Sequence, residues 1–359
     1  MEPNTQLNSA KPNIMSARDV HVQATGVDAI VSKFSAEQKG YFKDPFLKYF
    51  ISGPVAKRAP LINRGYYTRF KAIDIVVERF LRYKASSKHQ IVVLGAGVDT
   101  LFFRLAAAGY CQDNKLTVYD VDFETVTSIK VKTVMENKEL FDLLHAQKNE
   151  KPDPATQSAL HTSAYHIIPA DLRNLELLRD SLKKCDIDFS APTLLLSECV
   201  LVYVETACAD AIINWAGSSF TDSIFMTYEQ ILPNTAFGRV MVNNIRNRGC
   251  PLQSVHEYPN LASLISRYKS LGWNFVQALD MNQVYCEFLP PKDVERVQRL
   301  ELFDELEEWH LIQGHYSITI AINDPVAEDA EDKSVLVKTI GFKSKGASLP
   351  AWFNKYATS

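Results

Sequence analysis

A doubly wound α/β fold with a mostly parallel sheet is predicted by three features of this chain. The first is a set of short apolar runs, opened by Ile91–Leu94, with the unbroken hydrophobicity of strands covered on both faces. The second is Gly95-Ala96-Gly97 directly after that run, where missing side chains allow a sharp turn and close approach of a ligand. The third is the placement of acids at the ends of later runs, at Asp122, Asp171 and Glu198. Strand, glycine-rich turn and helix in that order make the nucleotide-binding entry of such a sheet. A dinucleotide fingerprint needs a third glycine where Thr100 stands, so a nucleoside-type ligand without a bridging pyrophosphate is expected.

The 359 residues suffice for one large domain or two average ones. With 46% hydrophobic and 23% charged residues, the composition is that of a soluble globule with a large core. A formal net charge of −3 gives no global attraction to nucleic acid. The six cysteines form no CxxC pair, so neither a disulfide framework nor a zinc site is expected. Reduced thiols suit a cytoplasmic protein. The polar start MEPNTQLNSAKPN offers no signal peptide or membrane span. The chain divides into a disordered N-terminus (1–18), a helical cap (19–85), a sheet domain (86–323) and a C-terminal tail (324–359).

From Gly26 to Phe34 a helical period carries Val27, Ile30, Val31 and Phe34, with Lys33 beside it. GYFKDPFLKYFI reads as helical on both sides of Pro45, Arg58 to Gly65 as a basic turn, and Gly65 to Arg82 as a helix. After the first strand, Asp99 or Thr100 can cap a helix bearing Leu101, Phe102 and Leu105. Leu116–Val121 is the second strand. Asp120 and Asp122 follow Gly97 at the spacing of an acid that grips ribose hydroxyls. Phe123 to Gln147 reads as mostly helical and NEKPDPATQS as a linker. Tyr165–Pro169 and Pro192–Ser197 are the next strands, closed by Ala170-Asp171-Leu172 and by Glu198. Asp171 could reach an adenine amino group, or simply cap a helix. Glu198 follows an apolar run, so a ligand cation or hydrogen bond would explain it. Cys199 reads as a packing thiol. A helix at 205–218, a strand at 223–228 and a basic helix at 237–248 come next, then strand, helix and strand at 273–280, 291–310 and 316–323. The last alternates in the manner of an antiparallel edge hairpin. The tail from Asp324 reads as mobile, although residues 349–353 could dock.

Such a sheet, with its closing hairpin, resembles the class I S-adenosylmethionine-dependent methyltransferase fold, Rossmann-like and seven-stranded. NRGYYTRF at 63–70, LGAGVDT at 94–100, YDVDF at 119–123, ADLR at 170–173, SECVLVYV at 197–204 and YEQ at 228–230 are more specific. Together they resemble the leucine carboxyl methyltransferase family, over about residues 27 to 322. The tail and the KPDPATQS stretch depart from its pattern.

The resemblance implies methyl transfer from S-adenosylmethionine to the C-terminal leucine carboxylate of the protein phosphatase 2A catalytic subunit. It implies cofactor contacts at Lys33, Arg69, Gly95, Asp122, Asp171, Leu172 and Glu198, with Asp122 on the ribose and Arg69 on the methionine carboxylate. Arg69, Lys33 and Tyr203 are the implied catalytic residues, with Arg64 a further choice for the substrate carboxylate. No metal, nucleic acid or membrane is implied, and a monomer is expected. Competing readings are a methyltransferase for a modified tRNA base or small carboxylic acid, and a non-catalytic S-adenosylmethionine-binding regulator. A nicotinamide dehydrogenase is disfavoured by Thr100.

Overall fold

The structure, a computed structural model, describes residues 16–85, 87–112, 115–145, 153–324 and 335–342. Nine strands form one sheet. They are β1 (His89–Leu94), β2 (Leu116–Asp122), β3 (Asp153–Thr156), β4 (Ala159–His161) and β5 (Tyr165–Pro169). The rest are β6 (Thr193–Glu198), β7 (Ser223–Gln230), β8 (Phe275–Asp280) and β9 (Tyr316–Asn323). Their spatial order is β3-β4-β5-β2-β1-β6-β7-β9-β8. The strands from β5 to β7 run parallel, and β9 is antiparallel to both its neighbours. This is the expected class I methyltransferase fold, mostly parallel, with β4 and β9 the two reversed strands.

The four cap and sheet helices that build the site are α1 (Ala17–Gln38), α2 (Pro60–Arg82), α3 (Leu101–Ala107) and α4 (Glu124–Glu136). Every residue of β1 and β7 is buried, because helices cover both faces. On one face Phe102 of α3 stacks flat on Tyr165, ring centroids 3.9 Å apart. On the other, Phe225, Tyr268 and Trp273 interlock edge to face. On the first of these faces lies a buried pair, Lys130 Nζ of α4 and Asp120 Oδ2, 2.6 Å apart, with the Tyr165 hydroxyl donating to the same oxygen. Among the described residues no helix is long and apolar enough to cross a membrane.

Several expectations are corrected. The sheet has nine strands, not seven, because 153–161 is an antiparallel pair rather than a linker. Pro154 disguises β3, which sits at the sheet edge where a missing amide is tolerated. β9 is interior, and β8 takes the edge. The first helix begins at Ala17 instead of Gly26, with Ser16 and Asp19 forming a capping box, so 16–18 are ordered. Gly26 masks the helix, being the residue that weakens a helical reading most short of proline. Only a short 3₁₀ turn, Leu47–Phe50, forms near Pro45. The expected basic turn lies partly inside α2, with Asn63 and Arg64 buried. The helix read at 291–310 is two, Pro291–Gln298 and Leu306–Gln313. The tail is not mobile throughout, since Val335–Ile340 is helical and Leu336, Ile340 and Phe342 are buried. Residues 349–353 lie outside the described residues.

Candidate active site

The parallel strands end along one edge of the sheet, where their turns, roofed by α1 and α2, enclose a cavity of about 810 Å³. That volume suits a small-molecule ligand. Its floor is the turn after β1. Gly95 and Gly97 adopt φ of +65° and +53°, the left-handed region. The amides of Gly95 and Ala96 both donate to the Val121 carbonyl. The Gly97 amide donates to Asp122 Oδ2 at 2.6 Å, and the Phe123 amide to Oδ1 at 2.7 Å. Burial nevertheless pushes the Asp122 carboxyl up to about 6. A Cβ on Gly95 would lie 2.5 Å from Val200 Cγ2, so protein packing itself demands glycine there. Nothing stands within 4 Å of a Cβ on Gly97, and Gly97 lines the cavity. The backbone is therefore most approachable at Gly97.

Beside the floor lies a chain of alternating charges. Glu198, closing β6, accepts from Arg69 Nε of α2 at 2.6 Å. Lys33 Nζ of α1 is 3.7 Å from Glu198 Oε1 and 3.2 Å from Asp99 Oδ2. Burial works against the Lys33 ammonium, but the Glu198 and Asp99 carboxylates outweigh it and hold it above its usual value. Glu198 thus needs no ligand cation to be buried, contrary to expectation: protein cations pair with it. The Arg69 guanidinium also sits 4.6 Å over the Tyr228 ring. Among the described residues no hydrogen bond engages its terminal nitrogens, which leaves a charged donor pair for a ligand carboxylate.

At the end of β5, Arg173 grips Asp171 through Nε at 2.9 Å and Nη2 at 2.6 Å, and its Nη1 donates to Asp19 Oδ1 of α1 at 3.0 Å. Arg18 Nη1 meets Glu205 Oε1 at 2.7 Å. These two arginines tie α1 across the cavity. On the far wall Tyr228 stacks on Tyr316 with ring centroids 5.3 Å apart, and Tyr203 and Gln230 line the cavity with them. Gln230 Oε1 is buried without a partner among the described residues. Burial raises the Tyr203 phenol, which stays neutral and able to donate. Cys199 takes φ of +55°, and burial pushes its thiol up to about 12, so it is inert, as a packing thiol should be.

Lys33, Arg69, Gly95, Asp122, Asp171, Leu172, Glu198 and Tyr203 all line this one cavity. Arg64 does not, for its guanidinium lies 4.0 Å over the Phe303 ring, buried beneath α2. Of the two acids at the end of β2, Asp120 is taken by Lys130 and only Asp122 faces the cavity. The sequence reading gave no role to Asp19, Tyr66, Asp99, Arg173, Tyr228 or Gln230 at the cavity. The NRGYYTRF, LGAGVDT, ADLR and YEQ motifs contain five of them, all but Asp19.

A family model described as "Leucine carboxyl methyltransferase" matches residues 21–217. The chain is 41% identical over 304 residues to "Leucine carboxyl methyltransferase 1 homolog" of Arabidopsis thaliana, covering 84% of this chain and 89% of that one. It is 35% identical over 328 residues to "Leucine carboxyl methyltransferase 1" of Yarrowia lipolytica, covering 85% and 98%. It is also 38% identical over 314 residues to "tRNA wybutosine-synthesizing protein 4" of Homo sapiens, covering 86% of this chain but only 45% of that longer protein.

Proposed function

The chain belongs to the leucine carboxyl methyltransferase family, and on that premise we propose that it methylates the α-carboxylate of a C-terminal leucine, with S-adenosylmethionine as donor and the protein phosphatase 2A catalytic subunit as substrate. The observation that carries the reading is the meeting of Arg69, Lys33, Glu198, Asp122 and the glycine turn on one cavity. The donor supplies a methyl group on a positively charged sulfur. An α-carboxyl group has a pKa of about 3.3–3.7 and is already ionised, so no side chain has to act as a base. The leucine oxygen gains the methyl, the donor sulfur keeps the bonding pair, and no proton moves.

The residues present fit the donor. Asp122 suits the ribose hydroxyls, Asp171 and Leu172 suit the adenine, and the free nitrogens of Arg69 suit the methionine carboxylate. Lys33, held by Glu198 and Asp99, keeps those two acids from repelling the substrate carboxylate. Tyr203 and Gln230 offer neutral hydrogen bonds, which orient a nucleophile without blunting it. Roofing by α1 excludes water, and preorganised alignment of this kind contributes roughly 7–11 kcal/mol.

The test is incubation with methyl-labelled S-adenosylmethionine and intact phosphatase, measuring label released as methanol under mild base. Intact phosphatase should be labelled. Phosphatase lacking its last leucine, or amidated there, should not, and equal labelling would end the reading. Free tail peptide should be a poor substrate, because contacts remote from the reacting group contribute to alignment. The similarity to the human tRNA wybutosine-synthesizing protein motivates a second arm with wybutosine-precursor tRNA. Label on RNA alone would replace the leucine reading.

A further inference from the structure

A second chemistry-bearing cluster lies away from the cavity, at the other end of β5. His161 of β4 and His166 of β5 face each other in the antiparallel register, and their Nδ1 atoms are 3.2 Å apart. Cys185 follows the helix Leu175–Lys184, and its Sγ lies 3.5 Å from His161 Nδ1. All three ligand atoms lie within 4.8 Å of one another. None of the three residues lines the cavity.

We propose that His161, His166 and Cys185 bind a zinc ion that staples the β4–β5 pair to the end of the Leu175–Lys184 helix. Two nitrogens and one sulfur, with no carboxylate, make a donor set for a borderline-soft cation and not for magnesium or calcium. With zinc–nitrogen bonds of about 2.0–2.1 Å and zinc–sulfur of about 2.3 Å, tetrahedral geometry puts neighbouring ligand atoms about 3.3–3.6 Å apart. The two separations to His161 Nδ1 already have nearly that length, and all three ligand atoms lie within 4.8 Å of one another. Cys185 is buried and the histidines are half-buried, so one side of the site is open to water as a fourth ligand. The His166 ring is held by stacking on Tyr119, with centroids 4.9 Å apart and 11° between planes. Zinc binding displaces the Cys185 thiol proton to solvent and involves no change of oxidation state. The spacing gave no sign of the site because its third ligand arrives 24 residues after the first.

The full-length chain, stripped with chelator, is titrated with cobalt(II) and with zinc. About one equivalent of cobalt should bind with a thiolate-to-cobalt charge-transfer band, displaced by zinc, and zinc should raise the melting temperature. Cys185→Ser should lose the band and the zinc-induced shift while keeping its methyl-transfer rate. His161→Gln, at a less buried position, should weaken zinc binding at least about tenfold and decides the matter if Cys185→Ser does not fold. No band in the wild-type chain, a band that survives Cys185→Ser, or unchanged zinc affinity in His161→Gln would each overturn the proposal.

Discussion

Arg69 Nε lies 2.6 Å from Glu198 Oε2, so the middle of α2 is bonded to the carboxyl end of β6 before any ligand arrives. Both side chains are nearly buried, at 11% and 13% exposure, and such a pair is costly to break from one side. It fixes the guanidinium plane and so decides where its two free nitrogens point.

Arg69→Lys should therefore be a severe change. An ammonium can keep the ion pair but cannot present two further donors in a fixed plane. We expect kcat/KM to fall on the order of a hundredfold, with donor binding weakened, and the fold intact by near-ultraviolet dichroism. Wild-type turnover in this variant would show that the arginine serves only the ion pair.

Asp122 gives a pH dependence. Its carboxyl is pushed up to about 6 by burial, while ribose hydroxyls favour the ionised form. Affinity for the product S-adenosylhomocysteine should hold steady above about pH 6 and fall by up to about tenfold per unit below it. Asp122→Asn should bind weakly and without that pH dependence. Calorimetry from pH 5 to 8 on both proteins decides it, and a flat wild-type profile would remove Asp122 from the ribose.

The bridge from Arg173 to Asp19 predicts an effect on α1. Asp19→Asn removes one charged acceptor from the Arg173 fork but leaves Asp171 paired. Donor affinity should drop about fivefold, the equivalent of about 1 kcal/mol, and hydrogen exchange in 17–33 should quicken. Unchanged exchange there would mean that the Arg173–Asp19 bridge does not hold the roof.

Lys130→Met tests the buried pair beneath the floor. It leaves Asp120 as a lone buried carboxylate, with Tyr165 as its remaining hydrogen-bond donor, at a cost of about 3–5 kcal/mol. Asp120 is already raised by burial, and losing Lys130 raises it further. A raised carboxyl contributes stability below its unfolded pKa, and that stability is lost as pH rises through the folded value. The loss in this variant should thus be smaller near pH 5 than near pH 8, as read by urea unfolding.

What the sequence disclosed follows the physics of each element. The parallel strands were legible because burial on both faces leaves runs such as Ile91–Leu94 with no polar interruption. α1 was half hidden, because Thr25 and Ser32 return their hydroxyls to the backbone and Gly26 interrupts the apolar period. β3 carries a proline tolerable only at an edge, which pairing decides and composition does not. At the cavity, Arg69 and Glu198 could be named from motifs, and Lys33 from the family resemblance. That Lys33 would find Asp99, 66 residues away, could not. Long-range ion pairs leave no local trace.

The close fit of Gly95 against Val200 couples the two positions. A methyl at 95 collides with Val200 and also strains a backbone held at φ of +65°, so two separate penalties guard the position. Shrinking Val200 to alanine would lift only the first. A side chain at 95 therefore requires both a smaller residue at 200 and a relaxed turn. A double-mutant cycle on Gly95→Ala and Val200→Ala should accordingly show favourable coupling that stops short of full recovery, because the smaller side chain at 200 relieves the clash and leaves the backbone strain.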